Sequence, residues 1–163
     1  MKFNNKENEC TKTADGRTIW VSRSAAVVGG IFVEEGDKLW VVAGKRGERV
    51  THSGLWSLPC GYLDWGETLE EAMSREAWEE TGSETSPDDW SFFRIESDPN
   101  KFRQNVSIQF FRKTKEPRWE LTTENCEPGE VVEVKWIDTR EILNYNWAFD
   151  HEKRIVEMIL KFS

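Results

Sequence analysis

Two short apolar runs near the start of the chain predict a buried β-hairpin. Residues 25–33 and 39–43 are rich in valine and other bulky apolar side chains, and the turn-forming sequence Glu35-Gly36-Asp37 lies between them. Residues 44–59, which follow, contain several glycines and predict a long loop. Residues 1–17 are mostly polar and predict an N-terminal arm without regular structure.

Helical and strand patterns alternate along the rest of the chain. Residues 68–81 place apolar side chains at helical spacing. Thr68 and Glu71 predict a capping box at the start of that helix, and Gly82 predicts its end. An amphipathic pattern over 150–162 predicts a second helix. The predicted strands are 90–95, 106–113 and 131–137. This order of elements predicts an α/β domain with a mixed β-sheet.

Length and composition fit one ordinary globular domain. The 163 residues carry 30 acids against 22 bases, for a net charge of -8. The acid surplus disfavours binding to a nucleic acid duplex, because phosphates are neutralised by basic residues. No apolar segment resembles a secretory signal or a membrane span, so we expect a cytoplasmic protein. Cys10, Cys60 and Cys126 are far apart and predict reduced thiols rather than a disulfide framework.

The acidity is concentrated in residues 61–83, which hold seven acids and one base. On the predicted helix, Glu76, Glu79 and Glu80 share one face and repel one another. A divalent cation relieves that repulsion, and a site with only oxygen ligands suits Mg²⁺ or Mn²⁺. Arg75 is placed to brace one of these carboxylates. The alternative interpretation is a glutamate-rich helix face that is simply solvated.

The spacing of these charges resembles a known motif. Residues 61–83, GYLDWGETLEEAMSREAWEETGS, are similar to the Nudix box, G-x5-E-x7-R-E-U-x-E-E-x-G-U, in which U is a bulky apolar residue. Ala77 and Ser83 depart from it, because both are small at U positions. Trp56-Ser57-Leu58-Pro59 resembles the W-x-L-P segment that precedes the box. The resemblance implies a Nudix-type α/β/α sandwich with the box as a loop–helix–loop, in one domain over 18–163.

The resemblance also implies a reaction. Nudix hydrolases cleave the pyrophosphate bond of a nucleoside diphosphate linked to another moiety, with Mg²⁺ or Mn²⁺ as cofactor. By carry-over of the motif, Glu76 and Glu80 are implied as direct metal ligands. Glu79 is implied as a ligand or as the base that activates water, and the Gly61 carbonyl is a further candidate ligand.

Other charged residues are implied in supporting roles. Glu67 and Arg75 match box positions that hold the metal-binding carboxylates in place. Lys45 and Arg46 are candidates for contacting a distal phosphate, with a solvated loop as the alternative.

Two acids outside the box are candidates for an additional ligand or base. These are Glu130 and Glu133, and the alternative for both is a solvated strand edge. His52 and His151 have no partner at ligand spacing in the sequence and are expected to be structural or exposed.

The expected partner is a small nucleotide, with no membrane contact and a homodimer as a further expectation. Pro99 and the Phe149-Asp150-His151 sequence resemble features of ADP-ribose hydrolases. This resemblance weakly favours ADP-ribose-like nucleotides as the substrate. The alternative function is a Nudix-fold nucleotide sensor without hydrolytic activity. Among the nine tryptophans, Trp20, Trp119 and Trp147 are candidates for stacking on a base, although packing is the more general role of this residue.

Overall fold

A mixed β-sheet with a helix on each face forms the body of the protein. The computed structural model describes residues 8–101 and 104–162. Its strands are β1 (Glu9–Lys12), β2 (Thr18–Val21), β3 (Ser24–Glu35), β4 (Lys38–Arg46), β5 (Trp56–Ser57), β6 (Cys60–Tyr62), β7 (Ser91–Glu96), β8 (Asn105–Thr114) and β9 (Val131–Asp138). Its helices are α1 (Leu69–Thr81) and α2 (His151–Phe162), with short 3₁₀ helices over Pro87–Asp89 and Thr139–Asn144. None of the helices described is long and apolar enough to cross a membrane.

Strand β3 organises the sheet. The strand order is β5-β4-β3-β8-β7, and β6 and β9 add to β3 and β4. Strands β3 and β8 run parallel, and the other pairs are antiparallel. Alternate side chains of β3 enter opposite faces. Phe32 belongs to a buried cluster with Met158 of α2, whereas Ile31 belongs to one with Met73 of α1. The predicted α/β/α sandwich with a mixed sheet is confirmed.

The predicted hairpin, both helices and the three longer strands are confirmed to within about two residues, except that β4 continues to Arg46, three residues beyond its predicted end. The capping box at α1 is present as predicted. Thr68 Oγ1 accepts a hydrogen bond from the Glu71 N–H at 3.2 Å, and the Glu71 carboxylate accepts one from the Thr68 N–H at 2.7 Å. Gly82 ends the helix with φ 69°, a left-handed conformation that glycine adopts without strain.

Two loop predictions are wrong. The predicted loop over 44–59 contains the end of β4 and all of β5. The predicted unstructured arm over 1–17 contains β1, which pairs with β2 in antiparallel register. Strand β5 is too short to show a pattern, and β1 and β2 are exposed on both faces, so neither case produces a hydrophobic alternation. Residues 1–7 lie outside the described residues, and the domain start at residue 18 stays a prediction.

The two small residues of the box are buried beside tryptophans. Ala77 and Ser83 are both 0% exposed. Ser83 Oγ accepts a hydrogen bond from Trp119 Nε1 at 3.0 Å. Trp119 packs edge-on against Trp136, with ring centroids 4.9 Å apart. Trp119 and Trp136 therefore fill the space beside the small residues at the end of α1, so two of the nine tryptophans have a packing role.

Glu96 at the end of β7 links the sheet to α2. Its Oε2 accepts hydrogen bonds from Lys101 Nζ at 2.8 Å and Arg94 Nη2 at 3.0 Å, and lies 3.6 Å from Arg154 Nη2. Its Oε1 accepts the Asp98 N–H at 3.2 Å. The bonds from Lys101 and Asp98 lower the pKa of Glu96 to about 2. The carboxylate is therefore more favourable in the folded chain than in the unfolded one.

This lowered pKa predicts acid-sensitive stability. Because the folded pKa lies below the unfolded one, Glu96 stabilises the fold above its ordinary pKa, and the contribution disappears as the pH falls through about 2. Glu96→Gln should lower the free energy of unfolding by about 1–2 kcal/mol at neutral pH, and the deficit should shrink on acidification. Urea unfolding across the acid range measures this. Glu124→Gln, at an exposed position, is the control, and a deficit for Glu96→Gln that does not change with pH would contradict the assignment.

Candidate active site

Helix α1 turns two of the predicted carboxylates towards β6. Met73 and Ala77 are fully buried against the sheet, and burial of that stripe fixes the rotation of the helix. Glu76 and Glu80 are consequently only 7% and 4% exposed. Gly61 of β6 lies directly against Glu76, since a Cβ at position 61 would stand 1.9 Å from Glu76 Oε1. Glycine is required here because any side chain would displace the carboxylate.

Arg75 connects the carboxylates of the box. Its Nε and Nη2 form a two-pronged contact with Glu67, at 3.0 and 2.8 Å. Its Nη1 donates to Glu76 Oε1 at 2.7 Å and to Glu79 Oε2 at 3.0 Å. Nη2 also donates to the Tyr62 carbonyl at 2.9 Å. One planar guanidinium therefore fixes three carboxylates relative to β6, a geometry that lysine does not provide.

The carboxylates differ sharply in their electrostatics. Burial raises the pKa of Glu76 to about 7, although Arg75 opposes the shift. Burial and the neighbouring Glu76 raise the pKa of Glu80 well above its ordinary value, and the Cys60 N–H, which donates to Glu80 Oε2 at 2.9 Å, offsets this only in part. Hydrogen bonds from Arg75 instead lower the pKa of Glu67. Glu67 is thus a satisfied carboxylate, whereas Glu76 and Glu80 are poorly compensated.

The donor set fits a hard divalent cation. Glu76, Glu79 and Glu80 offer only oxygen atoms, and the first and last are buried where a negative charge needs a positive partner. Within the described part of the chain, no three Asp, Glu, His or Cys side chains are already gathered at metal-binding geometry. Arg75 instead bridges Glu76 and Glu79.

A cavity of about 720 Å³ opens beside these carboxylates. That volume is typical of sites for small molecules of nucleotide size. Besides the acids of α1, its walls come from strands β3, β6 and β8, from the loop after β4 and from the start of α2. The carboxylates therefore stand at the wall of a space large enough for an organic ligand.

The structure separates the two candidate acids outside the box. Glu130 lines the cavity, and its charge contributes to the raised pKa of both Glu76 and Glu80. Glu133 on β9 is not among the lining residues and pairs with Lys135 at 3.0 Å. Only Glu130 is positioned to act with the carboxylates of the box.

The two candidate basic residues are likewise separated. Arg46 lines the cavity and donates from Nε to the Thr51 carbonyl at 2.7 Å, with its guanidinium 5.0 Å from the centre of the Phe149 ring. Lys45, its neighbour on β4, does not line the cavity and pairs across the sheet with Glu133. The register of β4 on β9 shifts between Lys45 and Arg46, and of the two only Arg46 reaches the cavity.

His151 is part of the cavity wall, which its isolated position in the sequence did not indicate. It is 4% exposed, and its Nδ1 accepts the Leu58 N–H at 3.0 Å. Burial and the nearby Arg46 lower its pKa to about 3, so the ring is neutral at physiological pH. Because Nδ1 is an acceptor, the proton of the neutral ring lies on Nε2.

The three tryptophans considered for base stacking do not line the cavity. Trp119 packs against Trp136, and Trp147 donates from Nε1 to the Ile142 carbonyl at 2.7 Å. Trp20 is 63% exposed on strand β2. Sequence analysis also missed Ser107 and Gln109 in the cavity wall, because polar residues in a buried strand give no motif.

Comparison with known proteins identifies one domain over most of the chain. The NUDIX domain family model matches residues 23–158. Curated relatives named Phosphatase NudJ, from Escherichia coli K12 and Shigella flexneri, are 48% identical over 40 residues. That match covers 24% of this chain and about a quarter of the length of each relative, 26%.

Solved structures share the fold. The NUDIX domain of Shewanella oneidensis NrtR complexed with ADP ribose has a TM-score of 0.72 and 20% identity, covering 87% of this chain and 90% of that one. A Francisella tularensis bifunctional NMN adenylyltransferase/ADP ribose pyrophosphatase complexed with AMP and a Mn ion has a TM-score of 0.69 and 21% identity, covering 86% and 42%. C. elegans Ap4A hydrolase has a TM-score of 0.60 and 13% identity, covering 86% and 99%.

Glu67 and Glu80 differ in how well their surroundings compensate a negative charge. Replacing each by glutamine should therefore have opposite effects on the free energy of unfolding. In EDTA at about pH 8, Glu80→Gln should keep the free energy of unfolding at or above the wild-type value, because it removes a carboxyl group whose ionisation is opposed by burial and by Glu76. Glu67→Gln should lower it by about 1–3 kcal/mol, because Arg75 loses a charged partner. Chemical unfolding of both variants measures the difference. Equal losses in the two would contradict the electrostatic assignment.

Proposed function

The chain belongs to the NUDIX domain family, and from that premise we propose that it is a divalent-metal-dependent hydrolase that cleaves the pyrophosphate bond of a nucleoside diphosphate linked to another moiety. The observation that carries the proposal is the pair of buried carboxylates at the wall of the cavity, with Glu76 against Gly61 and Glu80 accepting the Cys60 N–H. Keeping two like charges out of water costs stability, and such costs are concentrated at functional sites.

The ligands that we propose for Mg²⁺ or Mn²⁺ are Glu76, Glu80 and Glu79, with the Gly61 carbonyl as a further candidate. When bound, such a cation neutralises phosphate charge and activates water for attack on phosphorus. This accounts for an acidic cavity serving an anionic substrate, because the cation lies between the two. The low exposure of Glu76 and Glu80 supports their role as ligands.

Two other residues of the box have distinct proposed tasks. Arg75 orients Glu76 and Glu79 through Nη1 while its other donors anchor it on Glu67, so it acts as a positioning residue. The Glu79 side chain is 37% exposed, against 9% for Glu76. Glu79 is therefore the carboxylate best placed to exchange a proton with water, and we propose it as the base.

The organic part of the substrate has room in the remainder of the cavity. Arg46 is the basic residue proposed to contact a distal phosphate, whereas Lys45 lies outside the lining. ADP-ribose and related nucleotides are the first substrates to test, since two structures of the same fold carry ADP ribose in their names. Cytoplasmic location and a homodimer stay predictions.

A nucleotide sensor without hydrolytic activity is the second candidate. One contact favours it. Arg75 bridges Glu76 and Glu79, and so occupies carboxylates that a cation would need as ligands. The presence of every charged box residue favours the hydrolase. A panel of nucleotide diphosphates with Mg²⁺ or Mn²⁺, analysed for phosphate products, separates the two. Binding without products across the panel would support the sensor.

Loss of one buried ligand tests the hydrolase directly. Glu80→Gln should lower metal-dependent pyrophosphatase turnover by at least about 100-fold, because even partners beyond the ligands are worth about 10–100-fold. Circular dichroism should show an unchanged fold, since the Gln amide oxygen can still accept the Cys60 N–H. Wild-type turnover in Glu80→Gln would rule out the assignment.

The separation of Glu130 from Glu133 gives a matched pair of variants. Glu130→Gln should reduce turnover by about 10–100-fold, because Glu130 lines the cavity beside the box carboxylates. Glu133→Gln removes the same charge from the same segment outside the cavity and should leave turnover near wild type. Steady-state kinetics of both variants at saturating Mg²⁺ measures the effect. Equal effects of the two substitutions would show that general charge, rather than position, is responsible.

A further inference from the structure

A buried glutamine amide in the cavity wall lacks a hydrogen-bond partner for one of its two ends. Gln109 on β8 lines the cavity and is 3% exposed. Its Nε2 lies 3.4 Å from Ser107 Oγ, a long hydrogen bond, whereas its Oε1 accepts none from the residues that the structure describes. Turning the amide over exchanges the two ends but still leaves one unsatisfied. Buried polar atoms without a partner are rare because they are costly, so this one requires an explanation.

Strand register fixes where this amide stands relative to the carboxylates. Cys60 of β6 pairs with Val28 of β3, and Val28 pairs with Gln109 of β8. Gln109 therefore lies two strand spacings, about 10 Å, from Cys60. The Cys60 N–H donates to Glu80, so the strand that holds Gln109 and the strand that contacts the carboxylates lie on either side of β3. The base and ribose of a nucleotide would therefore lie between Gln109 and the carboxylates.

The surface between Gln109 and the carboxylates suits a flat ring. Ala26 and Val28 of β3 line the cavity between β6 and β8, and both are apolar. Ala26 pairs on one side with Tyr62 and on the other with Ser107. A planar base could lie over this small apolar floor with its polar edge towards β8.

We propose that Gln109 binds the base of the substrate and selects an edge that carries an amino group beside a ring nitrogen, as adenine does. A glutamine amide presents an acceptor and a donor side by side, which matches the 6-amino group and N7 of adenine. The 6-oxo group of hypoxanthine turns this edge, formed by position 6 and N7, into two acceptors and leaves the glutamine oxygen unpaired. The inference rests on the proposed function for its substrate class, but the base contact is tested without the reaction.

The experiment compares ligands that differ in that one group. For the reaction, ADP-ribose and IDP-ribose are compared by kcat/KM. For binding alone, adenosine and inosine are titrated into the protein in EDTA, so that neither metal nor hydrolysis is involved. Wild type should prefer the amino ligand by about tenfold or more in both assays. Gln109→Met, which has a similar size and no polar end, should abolish the preference mainly by weakening the amino ligand.

The free energy of unfolding provides a second readout, which separates a ligand-binding amide from a structural one. Gln109→Met should be at least as stable as wild type, because it removes an unsatisfied buried oxygen, whereas a purely structural amide would lose stability on the same change. Ser107→Ala should reduce the preference for adenosine over inosine only partly.

Equal binding of adenosine and inosine by wild type, or a preference that survives in Gln109→Met, would overturn the inference and show that water alone satisfies the amide. Absence of hydrolysis across the panel of nucleotide diphosphates with Mg²⁺ or Mn²⁺, together with a retained adenosine preference, would refute the proposed function and leave this inference standing.

Discussion

The site depends on two carboxylates held side by side out of water. Glu76 and Glu80 lie in a position where burial raises their pKa and opposes their ionisation. They remain there because the apolar stripe of α1 is buried on the sheet and determines which residues face β6. Gly61 makes the approach possible, because it leaves the space that the Glu76 carboxylate occupies. Burial of the apolar stripe of α1 therefore offsets the free-energy cost of keeping the two carboxylates out of water.

The arginine at the centre of the box converts this arrangement into a defined geometry. Arg75 is held by Glu67 and by the Tyr62 carbonyl, and it directs Nη1 towards Glu76 and Glu79. It also places a positive charge 2.7 Å from Glu76 Oε1. The same guanidinium can thus stabilise the folded chain without a cation and orient carboxylates when one is present.

Sequence predicted the elements that have a periodic pattern and missed those that lack one. The box helix, its cap at Thr68 and its end at Gly82 followed from local chemistry. Strand β5 and the exposed hairpin of β1 and β2 could not be predicted, because nothing buried defines their alternation. In the site, spacing predicted the box charges and Glu130 was one of two open candidates, whereas Gln109 is brought to the cavity by the register of β8 on β3 over a long sequence distance.

Binding of Mn²⁺ to the protein without substrate tests the central claim most directly. Electron paramagnetic resonance reports free Mn²⁺, so a titration counts the ions that the chain removes from solution. The account predicts that wild type lowers the free signal, that Mg²⁺ restores it by competition, and that a variant combining Glu76→Gln with Glu80→Gln, both in the buried wall of the cavity, leaves the signal unchanged. Equal binding by wild type and this variant would contradict the claim that these carboxylates hold the cation.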